Sequence, residues 1–263
     1  MEAKIAGTTM PVLEMVLDPG DKIVAETGQL SWMTDTVEMH TTTATGGAKG
    51  IWGAVTRAFG GGGLFMTEYT SPRSRGMVAF AAKLPGAILP LDLRQGRGYF
   101  VHRHGFLCGT EGIEVSVGFQ RSLGAGIFGG DGFVLQKLSG PASAWVELGG
   151  EIVTYDLPAG AVLKVHPGHV GMFEDSVSFD VTLMKGFRNV LFGGDGLFLA
   201  QLTGPGKVWL QTLTVPNLAH ALTPYIAREG GGSDSIGTAA GAAITGTVAG
   251  AVLNGIFGRD DET

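Results

Sequence analysis

Two histidines and a carboxylate stand at equivalent points of a chain that repeats itself, and they are the residues best placed to do chemistry. Counting six residues past Gly20, Gly96 and Gly160 reaches Glu26, His102 and His166. Two imidazoles and one carboxylate are the ligand set of a facial metal triad, with His104 and His169 close by in sequence. Equivalent positions converge if the units that carry them surround a common axis. The neighbouring residues argue against a metal. Ile23, Tyr99 and Leu163, with Ala25, Val101 and Val165, alternate as an apolar face. That puts Glu26, His102 and His166 on the opposite face beside Lys164, where solvent is expected. No metal and no other cofactor is therefore expected, and these three residues remain the only candidate ligands.

Other chemistry fares worse. Cys108, the single cysteine, lies in the apolar run Phe106-Leu107-Cys108 and reads as a small buried hydrophobe; His104 is near, but no protease signature accompanies it. One cysteine excludes an intrachain disulfide framework and fits a reducing compartment. There is no Gly-x-Ser-x-Gly, no paired-cysteine metal motif and no acidic pair spaced for general acid and base work. The glycine-rich run FGGDGF at residues 128–133, repeated as FGGDGL at 192–197 and FGGGGL at 59–64, resembles a phosphate cradle. A cradle must lead into a helix N-terminus, whereas Phe133, Val134 and Leu135 continue as a strand. A structural turn is the simpler reading, with Asp131 and Asp195 as turn residues. A net charge of −6 with both signs interspersed disfavours nucleic acid, which needs a concentrated basic face.

The elements that position these residues come from the repeat. A constant offset of 64 residues carries Leu93, Gly96, Val101, His102, Val117, Phe128, Gly140, Pro141 and Trp145 onto Leu157, Gly160, Val165, His166, Val181, Phe192, Gly204, Pro205 and Trp209. A more diverged first copy aligns Leu17, Gly20 and Val37 with Leu93, Gly96 and Ile113 and carries an insertion of seven residues. The units divide as 1–91, with the inserted loop, 92–156 and 157–215. Within each the apolar period is two, as in Ile113, Val115, Val117 and Phe119, and Gly-Pro and Pro-Gly turns cut the segments short. The expected class is all-β: three repeated β-sandwich-like units about an approximate threefold, because each unit exposes an apolar face that only a neighbour can cover. Residues 51–59, in the inserted loop, read as a short helix, and Trp32, Trp145 and Trp209 as core or subunit-contact aromatics.

Residues 216–229 begin with a short helix after Pro216 that ends at Pro224. A flexible linker at 230–235, an apolar Gly/Ala-rich helical segment at 236–257 and an acidic tail at 258–263 follow. The apolar segment holds 22 residues without a charge, enough as a helix to cross roughly 30 Å of hydrocarbon. Gly237, Gly241 and Gly255 fall on one side of the wheel and Gly246 and Gly250 on the other, so these five are candidate self-association residues. A membrane segment, a helix buried in a soluble oligomer and a disordered tail all stay open.

The run at 128–141, its echo ending Gly204-Pro205-Gly206-Lys207-Val208-Trp209-Leu210, and the ending at 218–225 resemble the altered-inheritance-of-mitochondria protein 24 family over residues 10–226. The resemblance implies a β fold similar to that of the tryptophan RNA-binding attenuation protein, repeated units and no enzyme activity. It defines no functional residue, and RNA binding does not follow from a fold relative. The sequence reading is thus a non-enzymatic scaffold or assembly protein, a homo-oligomer. Its place is the cytoplasm, since no signal peptide is visible, with a membrane contact through residues 236–257. The alternative is a metal-dependent or small-molecule-binding β-barrel enzyme.

Overall fold

Alternation of apolar and polar side chains becomes strand wherever one face can be buried, and β2 (Val12–Leu17) shows the rule. Leu13, Met15 and Leu17 are buried while Val12, Glu14 and Val16 between them are half-buried. The computed structural model describes residues 1–42, 66–94, 96–121, 133–183 and 198–223. The glycine-rich runs, the 51–59 helix, the linker and the five tail glycines expected from sequence lie outside them.

The first four strands besides β2 are β1 (Glu2–Ala6), β3 (Lys22–Glu26), β4 (Trp32–Met33) and β5 (Glu38–Thr42). Next come β6 (Met66–Thr70), β7 (Gly76–Ala81), β8 (Gly86–Asp92), β9 (Tyr99–His102), β10 (Phe106–Thr110), β11 (Glu114–Arg121), β12 (Phe133–Ser139) and β13 (Ser143–Gly149). The last are β14 (Ile152–Leu157), β15 (Val162–Val165), β16 (Val170–Glu174), β17 (Ser178–Leu183), β18 (Phe198–Thr203) and β19 (Gly206–Gln211), before helix α1 (Val215–Leu222). Strands β10 and β16 are offset by 64 residues at both ends, as the repeat requires. The helix starts where Thr214 Oγ1 accepts from the Asn217 N–H at 3.2 Å, a Thr cap with Pro in the first turn. Among the described residues no helix is long and apolar enough to cross a membrane.

Among the described residues all pairings are antiparallel and build four sheets: β1-β2-β7-β4, β5-β6-β3-β10-β13-β8, β11-β12-β9-β16-β19-β14, and β15-β18-β17. The two six-stranded sheets share one logic. In each, a three-stranded group (β5-β6-β3 or β11-β12-β9) is joined to the three-stranded group that comes later in the chain (β10-β13-β8 or β16-β19-β14) by a single seam, β3–β10 or β9–β16. Pro90 lies in β8, an edge strand, where a missing N–H costs no ladder bond.

Three apolar clusters connect the sheets in sequence. Leu13, Met15 and Phe80 of the first meet Ile23, Leu107 and Trp145 of the second. On its other side Val24, Phe106 and Val146 meet Tyr99, Val101 and Met172 of the third. The third in turn places Leu135 and Phe173 against Val165, Ala200 and Leu202 of the fourth. Sheets covered on both faces explain a departure from the sequence reading: Ile23, Val24 and Ala25 are all buried, so β3 has no solvated face. Strand β1 was not expected either. Four of its five residues are exposed, so no apolar pattern announces a strand that pairs along the edge of β2.

Candidate polar seam

Glu26, His102 and His166 are half-buried, not solvated, because neighbouring sheets cover the face that the repeat pattern leaves open. Glu26 ends β3, and its Oε1 accepts from Gln136 Nε2 of β12 at 2.5 Å. His102 ends β9, where its Nε2–H donates to the carbonyl oxygen of Glu147 at 3.1 Å. His166 sits against the ring of His169, 5.9 Å between centroids, while His169 Nδ1–H donates to the Gln211 carbonyl at 2.8 Å. Among the described residues no three His, Cys, Asp or Glu side chains gather as metal ligands. The three candidates serve three separate contacts instead.

Sequence reading missed the partners. Glu147 and Gln211 are equivalents at the 64-residue offset, polar positions within β13 and β19, and both are buried. Glu147 Oε2 accepts from the Lys83 N–H at 2.9 Å, and Gln211 Oε1 from the Gly149 N–H at 3.0 Å. Glu147 thereby holds the link between β7 and β8, and Gln211 the end of β13; each oxygen satisfies a backbone N–H donor. The available signal was a polar residue recurring in an otherwise apolar strand. Gln136 of β12, fully buried, gave no signal because its partner Glu26 is 110 residues away.

The electrostatics follow from burial. Desolvation pushes Glu26 above the ordinary carboxylate range, against the Gln136 hydrogen bond and the charges of Lys83 and Arg103; the charge of Glu147 adds to the rise. Glu147 is raised as well, again chiefly by burial, with the Lys83 N–H opposing. Cys108 is fully buried and its thiol is pushed well up, the reverse of what a nucleophile needs. The hydrogen bonds from Gln136 to Glu26 and from His102 to the Glu147 carbonyl run between the second and third sheets.

Burial lowers His102 from 6.5 to about 4; the Glu147 carbonyl opposes this, and the charges of His104 and Lys83 add to it. Above pH 6.5 neither the folded nor the unfolded state carries the proton. As pH falls from 6.5 towards 4, the unfolded chain takes up a proton that the fold refuses, and stability declines. Glu26 and Glu147 act in the opposite sense, because their raised values let the fold bind protons first. Replacing His102 by glutamine is therefore expected to recover on the order of 1–2 kcal/mol of the loss over that window, a figure reduced for the partial exposure of the ring. Urea midpoints between pH 4 and 7 measure it; a variant as acid-sensitive as the parent would assign the loss elsewhere.

A comparison with curated proteins finds no match. Among solved structures, the crystal structure of protein SPYM3_0169 from Streptococcus pyogenes is similar to the chain, with a TM-score of 0.68 and 22% identity, over 86% of this chain and 99% of that one. At that identity the likeness speaks to the fold. The family described as Mitochondrial biogenesis AIM24 matches residues 3–213, which takes in all of the strands from β2 to β19. The chain belongs to the AIM24 family.

Proposed function

We propose that the protein is a non-enzymatic scaffold that works by self-association. The observation that carries this reading is where the exposed apolar side chains lie. Of the large apolar residues that are exposed on strands, Ile5 is in β1, Trp32 and Met33 in β4, Met39 in β5, Val153 and Tyr155 in β14, and Val162 in β15. Every one of those strands is the edge of its sheet. Edges carry unpaired backbone donors and acceptors and are normally guarded with charge; apolar side chains there favour another surface over water.

Three homologous units following one another by similar rotations belong to the same reading. Their support is the recurring strand order and the 64-residue offset. The approximate threefold expected from sequence would need a third seam between β15 and β4 of one chain; among the described residues these two strands end different sheets and do not pair.

Light scattering on the full chain is the test. The expected mass is a multiple of 27.2 kDa, and a single-chain mass at micromolar concentration would overturn the proposal. Membrane contact through residues 236–257 is a separate element of it. Deleting residues 230–263 is expected to abolish co-sedimentation with lipid vesicles, and pelleting that survives the deletion would remove that element.

A further inference from the structure

We infer that β4 and β15 are the two halves of one interface, through which a second copy of this chain adds head to tail. The inference rests on the self-association reading and names its surface. Its basis is a pairing the chain already makes twice. At the first internal seam Ala25, Val24 and Ile23 pair with Cys108, Gly109 and Thr110. At the second, Val101, Phe100 and Tyr99 pair with Met172, Phe173 and Glu174. Positions 23–25, 99–101 and 163–165 are equivalent in the repeat, as are 32–34, 108–110 and 172–174. The third pairing is thereby specified, residue by residue: Val165 with Trp32, Lys164 with Met33, and Leu163 with Thr34.

Among the described residues neither half has that partner within the chain. Strand β4 ends the first sheet and β15 ends the fourth. Apolar clusters connect the first sheet to the second, the second to the third and the third to the fourth, and among the described residues none connects the first to the fourth. When β15 of one copy meets β4 of the next, the order β17-β18-β15-β4-β7-β2-β1 results. Its first six strands reproduce the order of both internal six-stranded sheets, and β1 adds at the far edge.

The side chains fit the inference. Cys108, Met172 and Phe173, on the equivalent strands, are at most 1% exposed. Trp32 and Met33 are 46% and 37% exposed, and Val162 on the other half is 50% exposed. Strand β4 is also short, two residues against five in the equivalent β10 and β16. The Thr34 N–H donates to Met77 O of β7 at 2.9 Å, so the antiparallel alternation turns the backbone N–H and C=O of Met33 to the open edge. Lys164 departs from the pattern, replacing Val24 and Phe100. Its alkyl stem can lie along Met33 with the ammonium at the rim, and a lysine on an edge strand discourages pairing with unrelated edges. Because the two halves differ, the contact is heterologous, and successive copies close a ring or extend a filament according to the rotation at each seam.

With Met33 and Lys164 as the hydrogen-bonded pair, Trp32 and Val165 form a non-hydrogen-bonded pair, with Cα atoms roughly 4.5 Å apart, a spacing a disulfide spans. Mixing the Trp32→Cys and Val165→Cys single variants and oxidising should give covalent dimers, and neither variant alone should; native Cys108 is buried and stays out of the reaction. The double variant should give a ladder of multimers. A disulfide that forms only within single chains would overturn the inference, as would no disulfide from a parent that is multimeric. Trp32→Glu supplies an independent reading, since the side chain is exposed in the single chain; a circular-dichroism spectrum like the parent's checks that the variant is folded. Its mass should fall to 27.2 kDa. A multimeric parent whose mass survives Trp32→Glu sinks this interface alone, while a single-chain parent sinks the self-association reading with it.

Discussion

Replacing Gly140 by alanine should cost at least about 3 kcal/mol of folding free energy, enough to leave the protein marginally stable. Gly140 lies in the turn between β12 and β13 with φ +103°, in the left-handed region that side chains avoid. Space is lacking as well: a Cβ there would stand 2.1 Å from the carbonyl oxygen of Gly112. That oxygen belongs to backbone in the neighbouring turn between β10 and β11, so no rotamer change relieves the contact. The two turns must separate, and the β11–β12 pairing next to them, Glu114 with Ser139, must open. Gly96→Ala is the control, since Gly96 also has positive φ, +74°, but nothing within 4 Å of the new methyl. Its cost should be about 1 kcal/mol, the conformational share alone. Urea unfolding of both variants separates the effects, and equal midpoints would show that the clash is not what matters.

Trp145→Ala is expected to destabilise by about 3–5 kcal/mol. Trp145 lies in the middle of β13, paired with Cys108 on one side and Pro90 on the other. It is 7% exposed and packs in the cluster between the first two sheets with Leu13, Met15 and Phe80. Truncation there leaves a cavity lined by residues of both sheets, which cannot close it without moving against each other. The repeat equivalent Trp209 gives the contrast. It is partly buried, with an edge contact to Tyr99 at 6.0 Å between ring centroids and the Lys207 ammonium 5.9 Å from its ring. Trp209→Ala should cost about 1–2 kcal/mol, in keeping with its smaller buried area. Thermal and urea unfolding of the pair check the order; a larger loss for Trp209 would contradict the packing described.

The strands and their turns were legible in the sequence because their causes are local. The alternation of Leu13, Met15 and Leu17, or of Ile113 and Val115, needs only a two-residue period and one dry face. Gly20, Gly96 and Gly160 recur because each sits in a turn that takes positive φ. The helix at Val215–Leu222 was foreseen from Pro216 and Pro224 for the same kind of reason. The sequence alone thus determined the repeat, the all-β character and the apolar positions. The tertiary structure decided which strand lies beside which, and with it the fate of the candidate site. Nothing local tells β3 to pair with β10, eighty-odd positions along, or tells Glu26 that Gln136 will meet it in place of His102 and His166. Nor does the pattern of β3 tell that both its faces are covered, since Val24 reads the same on a wet face as on a dry one until a third layer arrives. Sheet partners are chosen by burial summed over distant segments, and a polar side chain becomes ligand, linker or surface according to that choice.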